Sequence, residues 1–340
     1  MLPQYSPPAV PPDDSFAAAA RAGIHRLAIP TPFAVGRVNV YLIDDDPLTL
    51  VDAGPNSATS FDELQRGIAG LGHALEDIEL VIITHQHIDH FGLVSLVAAR
   101  AEAEVAVIEP AVPFIENFSV EAQADDDFAR DIMLRHGIPE DVVAALQSVS
   151  MAFRAWGAPV DITRPLRDGE TLAFRDRALQ VHHRPGHSPS DTVFYDLQRR
   201  ILVAADHLLG HISSNPLITR PLDGSAERPQ ALVQYLDSLA ATREMDVDLV
   251  LPGHGDPIAD HRSLIDQRSN LHRRRASKIQ RLLEEEPRTA YQLAQALWGN
   301  VAVTQAYLTL SEVIGHMDLL TNAGRAVESD RNGVAVFSAT

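Results

Sequence analysis

Cysteine is absent from all 340 residues. No disulfide framework and no thiolate metal site can form, so any bound metal must be held by His, Asp or Glu. Long apolar runs are missing too: no stretch approaches the roughly 18 uninterrupted apolar residues that suggest a membrane-spanning helix. Net positive charge is also lacking. Lys and Arg number 28 against 46 Asp and Glu, a formal net charge of −18. Such a chain repels nucleic acid and anionic membranes at long range unless a local basic groove overrides the mean field. Met1 to Asp14 carry neither the basic nor the apolar segment of a secretory leader. Residues 1–19 read as a loose arm, and the cytoplasm is the expected compartment.

Hydrophobic residues at 45% and charged residues at 22% are ordinary for a globular protein. The length suits one large domain, expected over 20–260, and a small one over 261–340. In the first half, 24–30, 38–43 and 48–51 have strand character, 60–71 has helical spacing, and 80–84 is an apolar strand. A helix over 92–103 and a strand over 104–108 follow. Further strands are expected at 171–174, 179–183, 192–195, 201–204 and 249–251, with a helix over 228–243. This alternation predicts an α/β layered fold.

Residues 111–165 break the pattern as a helical insert, with helices over about 119–136 and 139–155. Over 111–160 there are eight acids and three bases, interleaved with Phe114, Phe118, Phe128, Met133, Met151, Phe153 and Trp156. Two readings stay open: amphipathic helices packing on a core, or a lid over a pocket. Beyond 261, helices are expected over 263–285, 290–297 and 309–322. Two strands then flank Asn332-Gly333, a strong hairpin-turn signal. Helix, helix, helix, hairpin is the winged-helix order.

Chemistry concentrates in Thr84-His85-Gln86-His87-Ile88-Asp89-His90, directly after a buried strand. Imidazole and carboxylate suit zinc and related divalent ions. His85 and His87 can reach one ion from an extended loop, while Asp89 and His90 can face a second. His187 sits in Arg184-Pro185-Gly186-His187-Ser188-Pro189, Asp206 follows an apolar strand, and His254 lies in Pro252-Gly253-His254-Gly255. All fall at strand C-terminal ends, where α/β proteins place their sites.

The order His-x-His-x-Asp-His, Gly-His, Ala-Asp, Pro-Gly-His-Gly over about 20–260 resembles the metallo-β-lactamase superfamily. The resemblance implies an αββα sandwich with two divalent metal ions, zinc foremost and iron or manganese as alternatives. One ion would be held by His85, His87 and His187, the second by Asp89, His90 and His254, with Asp206 bridging. Asp52, in Val51-Asp52-Ala53-Gly54, matches the family's aspartate that orients a ligand. The tail resembles the β-lactamase-like protein 2 branch, near the glyoxalase II group.

The implied chemistry is hydrolysis by hydroxide held between the two ions. Asp89 would help orient the nucleophile, His207 is a candidate proton donor, and Asn215 is a candidate partner of the substrate oxygen. His182, His183, His211 and His261 receive no role. The expected substrate is a small-molecule ester, thioester, lactone or amide. A metal-dependent endoribonuclease or phosphodiesterase is the alternative. DNA binding is not expected, since residues 309–322, placed to enter a groove, carry Glu312 and Asp318 and no Lys or Arg. The tail leaves homodimerisation open.

Overall fold

The computed structural model describes residues 14–225 and 227–340. The strands are β1 Ile24–Ile29, β2 Val38–Ile43, β3 Thr49–Val51, β4 Leu80–Ile82, β5 Glu104–Ile108, β6 Arg164–Leu166, β7 Thr171–Ala173, β8 Ala178–His183, β9 Thr192–Asp196, β10 Ile201–Ala205, β11 Leu249–Pro252, β12 Ala326–Arg331 and β13 Val334–Ala339. One sheet has the order β1-β2-β3-β4-β5-β6, and a second has the order β11-β10-β9-β8-β7. The first is antiparallel through β3 and parallel from β3 to β6. In the second, β7 to β10 are antiparallel neighbours and β11 joins β10 in parallel.

Period-two alternation explains why the second sheet is covered on both faces. Phe194 of β9, Val203 of β10 and Leu251 of β11 point into the core shared with Val40, Leu50 and Val81 of the first sheet. Their chain neighbours Val193, Tyr195, Leu202, Ala204 and Val250 face the other way. There they pack on Leu232, Tyr235 and Leu239 of helix Ala231–Arg243, and on Leu264 and Ile265 of helix His261–Glu285. These strands therefore read as continuous apolar runs rather than half-buried alternations.

Helix His261–Glu285 serves two cores. Its first turns cover the second sheet, while Ala276, Ile279 and Leu283 join a separate core with Leu293, Val313 and Leu320. Helices Ala290–Trp298, Val301–Thr304 and Ala306–Asn322 and the β12–β13 hairpin complete this C-terminal unit. Thr289 and Gln292 form a capping box, and Asn332 and Gly333 have φ of 57° and 84°, as their hairpin turn requires. No helix among the described residues is long and apolar enough to cross a membrane.

The insert forms helices Phe118–Arg135 and Glu140–Phe153. Its apolar residues divide. Phe114 and Phe118 enter the sandwich core, whereas Met133, Ile138 and Val143 enter the C-terminal core with Phe128 packed beside them. Met151 and Phe153 stay exposed. The acids are largely paired: Glu121 and Asp125 with Arg220, and Asp126 with Arg154. The insert is thus chiefly a wedge between the two units, with its C-terminal end free to flank a site.

Three local expectations change. The segment read as a loose arm over 1–19 divides: 1–13 lie outside the described residues, and Asp14–Arg21 is a helix with Ala19 buried in the sandwich core. Strand β6 was not expected, because Pro165 within three residues masks the pattern. The helix expected over 92–103 starts earlier, as Ile88–Phe91 and then Val94–Ala101.

Candidate metal centre

The ends of β3, β4, β8, β10 and β11 deliver Asp52, the His85–His90 loop, His187, Asp206 and His254 to one edge of the sandwich. The loops are tied to one another before any ligand is considered. The Gln86 N–H donates to Ser190 Oγ and the Thr192 N–H to the Thr84 carbonyl, locking the 84–87 loop onto the 187–192 turn. Asp191 accepts from the Ser188 N–H and Oγ within that turn. Asn39 Nδ2 donates to the carbonyls of Pro252 and Gly255, and the Tyr41 hydroxyl donates to Pro252, so β2 fixes the His254 loop. Gly253 is required here: a Cβ on it would lie 2.2 Å from Asp206 Oδ1 and 2.8 Å from His90 Cε1.

The donor atoms converge in two groups. His85 Nε2 and His187 Nε2 lie 3.1 and 3.0 Å from His87 Nδ1. His254 Nε2 lies 3.4 Å from Asp89 Oδ2, and His90 completes that second group. Asp206 stands between them. Its Oδ2 is 3.6 Å from both His187 Nε2 and His254 Nε2, and its Oδ1 is 3.5 Å from His90 Nε2. Donors bound at about 2.0–2.2 Å to a shared tetrahedral ion sit roughly 3.3–3.6 Å apart, so these separations are of the size that two adjacent ions would need.

The far sides of the rings are also arranged for ligation. On His85, His90, His187 and His254 the proton-bearing nitrogen meets an acceptor, which leaves the opposite nitrogen for an ion. His90 Nδ1 donates to Asp52 Oδ2 at 2.7 Å. His85 Nδ1 donates to Thr84 Oγ1, whose hydroxyl donates to Asp52 Oδ2 at 2.8 Å. His187 Nδ1 donates to the Asn215 carbonyl and His254 Nδ1 to the Arg37 carbonyl. His90 Nε2, His254 Nε2 and Asp206 Oδ1 are buried with no hydrogen-bond partner. Buried polar atoms without partners are costly, and divalent ions would satisfy these three. Asp52 adopts φ of 62° and Ala205 φ of 43°, so the backbone is in a sparsely populated region at two turns of this edge.

Electrostatics divide the rings. Against the effect of burial, Asp52, Asp206 and Asp89 hold His90 well above the usual imidazole range, and Asp206 and Asp89 raise His254, so these two favour the charged form until a cation displaces the proton. Burial pushes the His87 imidazole down to about 3, with His187 adding to the effect. Burial also holds His85 well below the usual imidazole range, helped by His90 and His87. Both rings are therefore neutral ligands. Burial works against the Asp206 carboxylate, yet His254 and His90 hold it well below the usual range, so it is ionised.

All seven expected ligands come together, and Asp52 is the hydrogen-bond partner that the resemblance implied. The other two candidates are placed differently. His207 faces away from the ligands: its Nε2 bonds Thr242 Oγ1 at 2.8 Å, and the buried ring stands edge-on to Tyr235. The Asn215 side chain is taken up by the C-terminal unit, donating to the Leu308 carbonyl. Its contribution to the centre is its own carbonyl, which holds His187. His211, to which sequence reasoning assigns no role, is exposed and lies against Gly255 beside His254: a Cβ on Gly255 would meet His211 Nδ1 at 2.6 Å. The end of the insert reaches the same edge. The Trp156 carbonyl accepts from Asn56 N–H, and Phe153 packs edge-on against Phe33 at 5.3 Å.

A fold of two facing sheets with this ligand set at one edge defines a hydrolase of the metallo-beta-lactamase kind. The sequence model of the Metallo-beta-lactamase superfamily matches residues 34–254, and the chain belongs to that superfamily. Over 314 residues it is 34% identical to the probable metallo-hydrolase YqjP of Bacillus subtilis (strain 168), spanning 92% of this chain and 97% of that one. Two solved structures are similar along nearly the whole length. The metallo-beta-lactamase family protein TTHA1429 of Thermus thermophilus superposes with a TM-score of 0.80 at 26% identity, over 94% of this chain and 99% of that one. A beta-lactamase domain protein from Burkholderia ambifaria gives 0.79 at 26% identity, over 94% and 92%.

Proposed function

We propose that this chain is a dinuclear metal-dependent hydrolase that cuts a carbonyl bond in a small ester, thioester, lactone or amide. The observation that carries the dinuclear reading is the equal 3.6 Å spacing of Asp206 Oδ2 from His187 and His254, one from each ligand group. When bound, two divalent ions supply Lewis acidity and bring the pKa of water toward about 7. The residues do the rest. Asp206 sets the spacing of the two groups, Asp89 completes the second, and Asp52 fixes the tautomer of His90 directly and of His85 through Thr84. We assign the hand-over of a proton to the leaving group to His211, which is exposed and lies against Gly255 beside His254, because the His207 ring is turned to Thr242.

Surroundings favour a carbonyl substrate over a polyanion. Beside the end of the insert, Phe33 and Phe153 pack edge-on, apolar surface suited to an acyl or ring group. A phosphodiester chain needs cations along its path. Arg154, which the insert offers near this edge, is already engaged by Asp126. We read the C-terminal helices and hairpin as a winged-helix-like unit of the β-lactamase-like protein 2 branch that does not read DNA. Helix Ala306–Asn322, the one that would enter a groove, is buried along most of its length, with Gly315 against Leu232. The test is a panel of thioester, lactone, β-lactam, phosphodiester and RNA substrates on one zinc-loaded preparation. The kcat/KM for a carbonyl substrate should exceed that for the phosphodiester by at least about tenfold, or 1.4 kcal/mol. A preference for phosphodiester or RNA overturns the proposal.

A further inference from the structure

Away from the catalytic edge, helices His261–Glu285 and Ala306–Asn322 bring His272, Glu312 and His316 together, with one donor atom from each within 4.8 Å of the others. All three are buried, the histidines to 1% and 0% exposure. His316 Nδ1 donates to the Glu312 carbonyl at 2.6 Å, which leaves the Nε2 lone pair with no hydrogen bond. His187 and His254 in the catalytic centre show the same arrangement, each ring anchored through Nδ1 on a carbonyl with Nε2 free for an ion. His272 has no hydrogen bond at either ring nitrogen, and its Nδ1 lies 3.6 Å from Glu312 Oε1. That separation equals the longest donor spacings in the catalytic centre.

We propose that His272, Glu312 and His316 form a second metal site, which takes one divalent transition-metal ion such as zinc and clamps the two helices. Two imidazoles and a carboxylate are a ligand set that zinc accepts. Arg275 lies over the Trp298 ring and pairs with Glu312 Oε1, the same oxygen that lies 3.6 Å from His272 Nδ1, so an ion here would share that carboxylate with the guanidinium. Burial pushes His272 down to about 4 and also lowers His316, so both rings are neutral donors. The clamp bears on catalysis through structure alone. The same helix holds Asn215 by the Leu308 carbonyl, and the Asn215 carbonyl holds His187.

The test is equilibrium dialysis of the full chain against Zn2+ after chelator treatment. A variant with His87→Ala, His187→Ala, Asp206→Ala, His90→Ala and His254→Ala, which removes ligands from both groups of the catalytic centre, should still bind one zinc per chain. Adding His272→Gln and His316→Gln should abolish that binding. Zinc below about 0.2 per chain in the first variant, or binding that survives the two glutamines, overturns the site. The wild-type chain gives a reading that needs no variant to fold. Zinc-edge anomalous diffraction should show a peak bonded to His272 and His316, and no peak there in zinc-loaded crystals overturns the proposal, whether or not the catalytic centre is filled.

Discussion

Asp52 Oδ2 accepts a hydrogen bond from His90 Nδ1 at 2.7 Å, and the same oxygen accepts one from the Thr84 hydroxyl that in turn holds His85. One carboxylate, itself not a donor to either ligand group, thus orients a ring in each. Asp52→Asn keeps the shape, and Asn tolerates the left-handed backbone that Asp52 adopts, but the charge that steadies His90 is lost. Zinc affinity and kcat should each fall by about 10–100-fold with the circular dichroism unchanged. Wild-type values for both would mean that Asp52 does not act through these rings.

His207 and His211 should separate cleanly. His207→Gln disturbs a buried ring bonded to Thr242, so it should lower unfolding stability by ~1–3 kcal/mol in denaturant melts. Its kcat should stay within about threefold of wild type. His211→Gln alters an exposed ring at the rim, so stability should hold while kcat drops by about tenfold or more. The opposite pattern would return His207 to the proton-donor role.

Gly253→Ala places a methyl group 2.2 Å from Asp206 Oδ1, where the backbone is fixed by the Gly253 N–H on the Ala205 carbonyl and by the Ser214 hydroxyl on the Asp206 carbonyl. The carboxylate must move. Loss of at least one zinc per chain and a fall in activity of about 100-fold or more are expected, with secondary structure intact. Full metal content in that variant would show that the Asp206 carboxylate can yield to the methyl group and still reach the ions.

Asp206→Ala removes the carboxylate that faces both groups and leaves two cations to repel each other. Catalysis should be lost with far less effect on folding. Activity within about tenfold of wild type, roughly 1.4 kcal/mol, would refute the bridging role.

Much of the site was legible because metal ligation demands particular side chains at fixed spacings just after strands. His85, His87, Asp89 and His90 announce themselves within six residues. What escaped depends on backbone direction and on long-range neighbours. His207 follows Asp206 in sequence, but beyond Ala205 with its positive φ the two side chains diverge, one to the ions' side and one to Thr242. Asn215 acts through a carbonyl, which its residue type does not signal. Glu312 and His316 are one helical turn apart, and only the fold brings His272 from another helix to meet them. The insert's aromatics left core packing and a lid both open; Phe114 and Phe118 are core, and the amphipathic pattern alone does not say which core a helix faces.

Everything proposed for catalysis depends on this edge binding two ions side by side with Asp206 between them. Zinc-edge anomalous diffraction from zinc-loaded crystals decides it. Two peaks are predicted about 3.5–4 Å apart, one bonded to His85, His87 and His187 and the other to Asp89, His90 and His254, with Asp206 reaching both. A single peak at this edge, or none, would contradict the dinuclear centre.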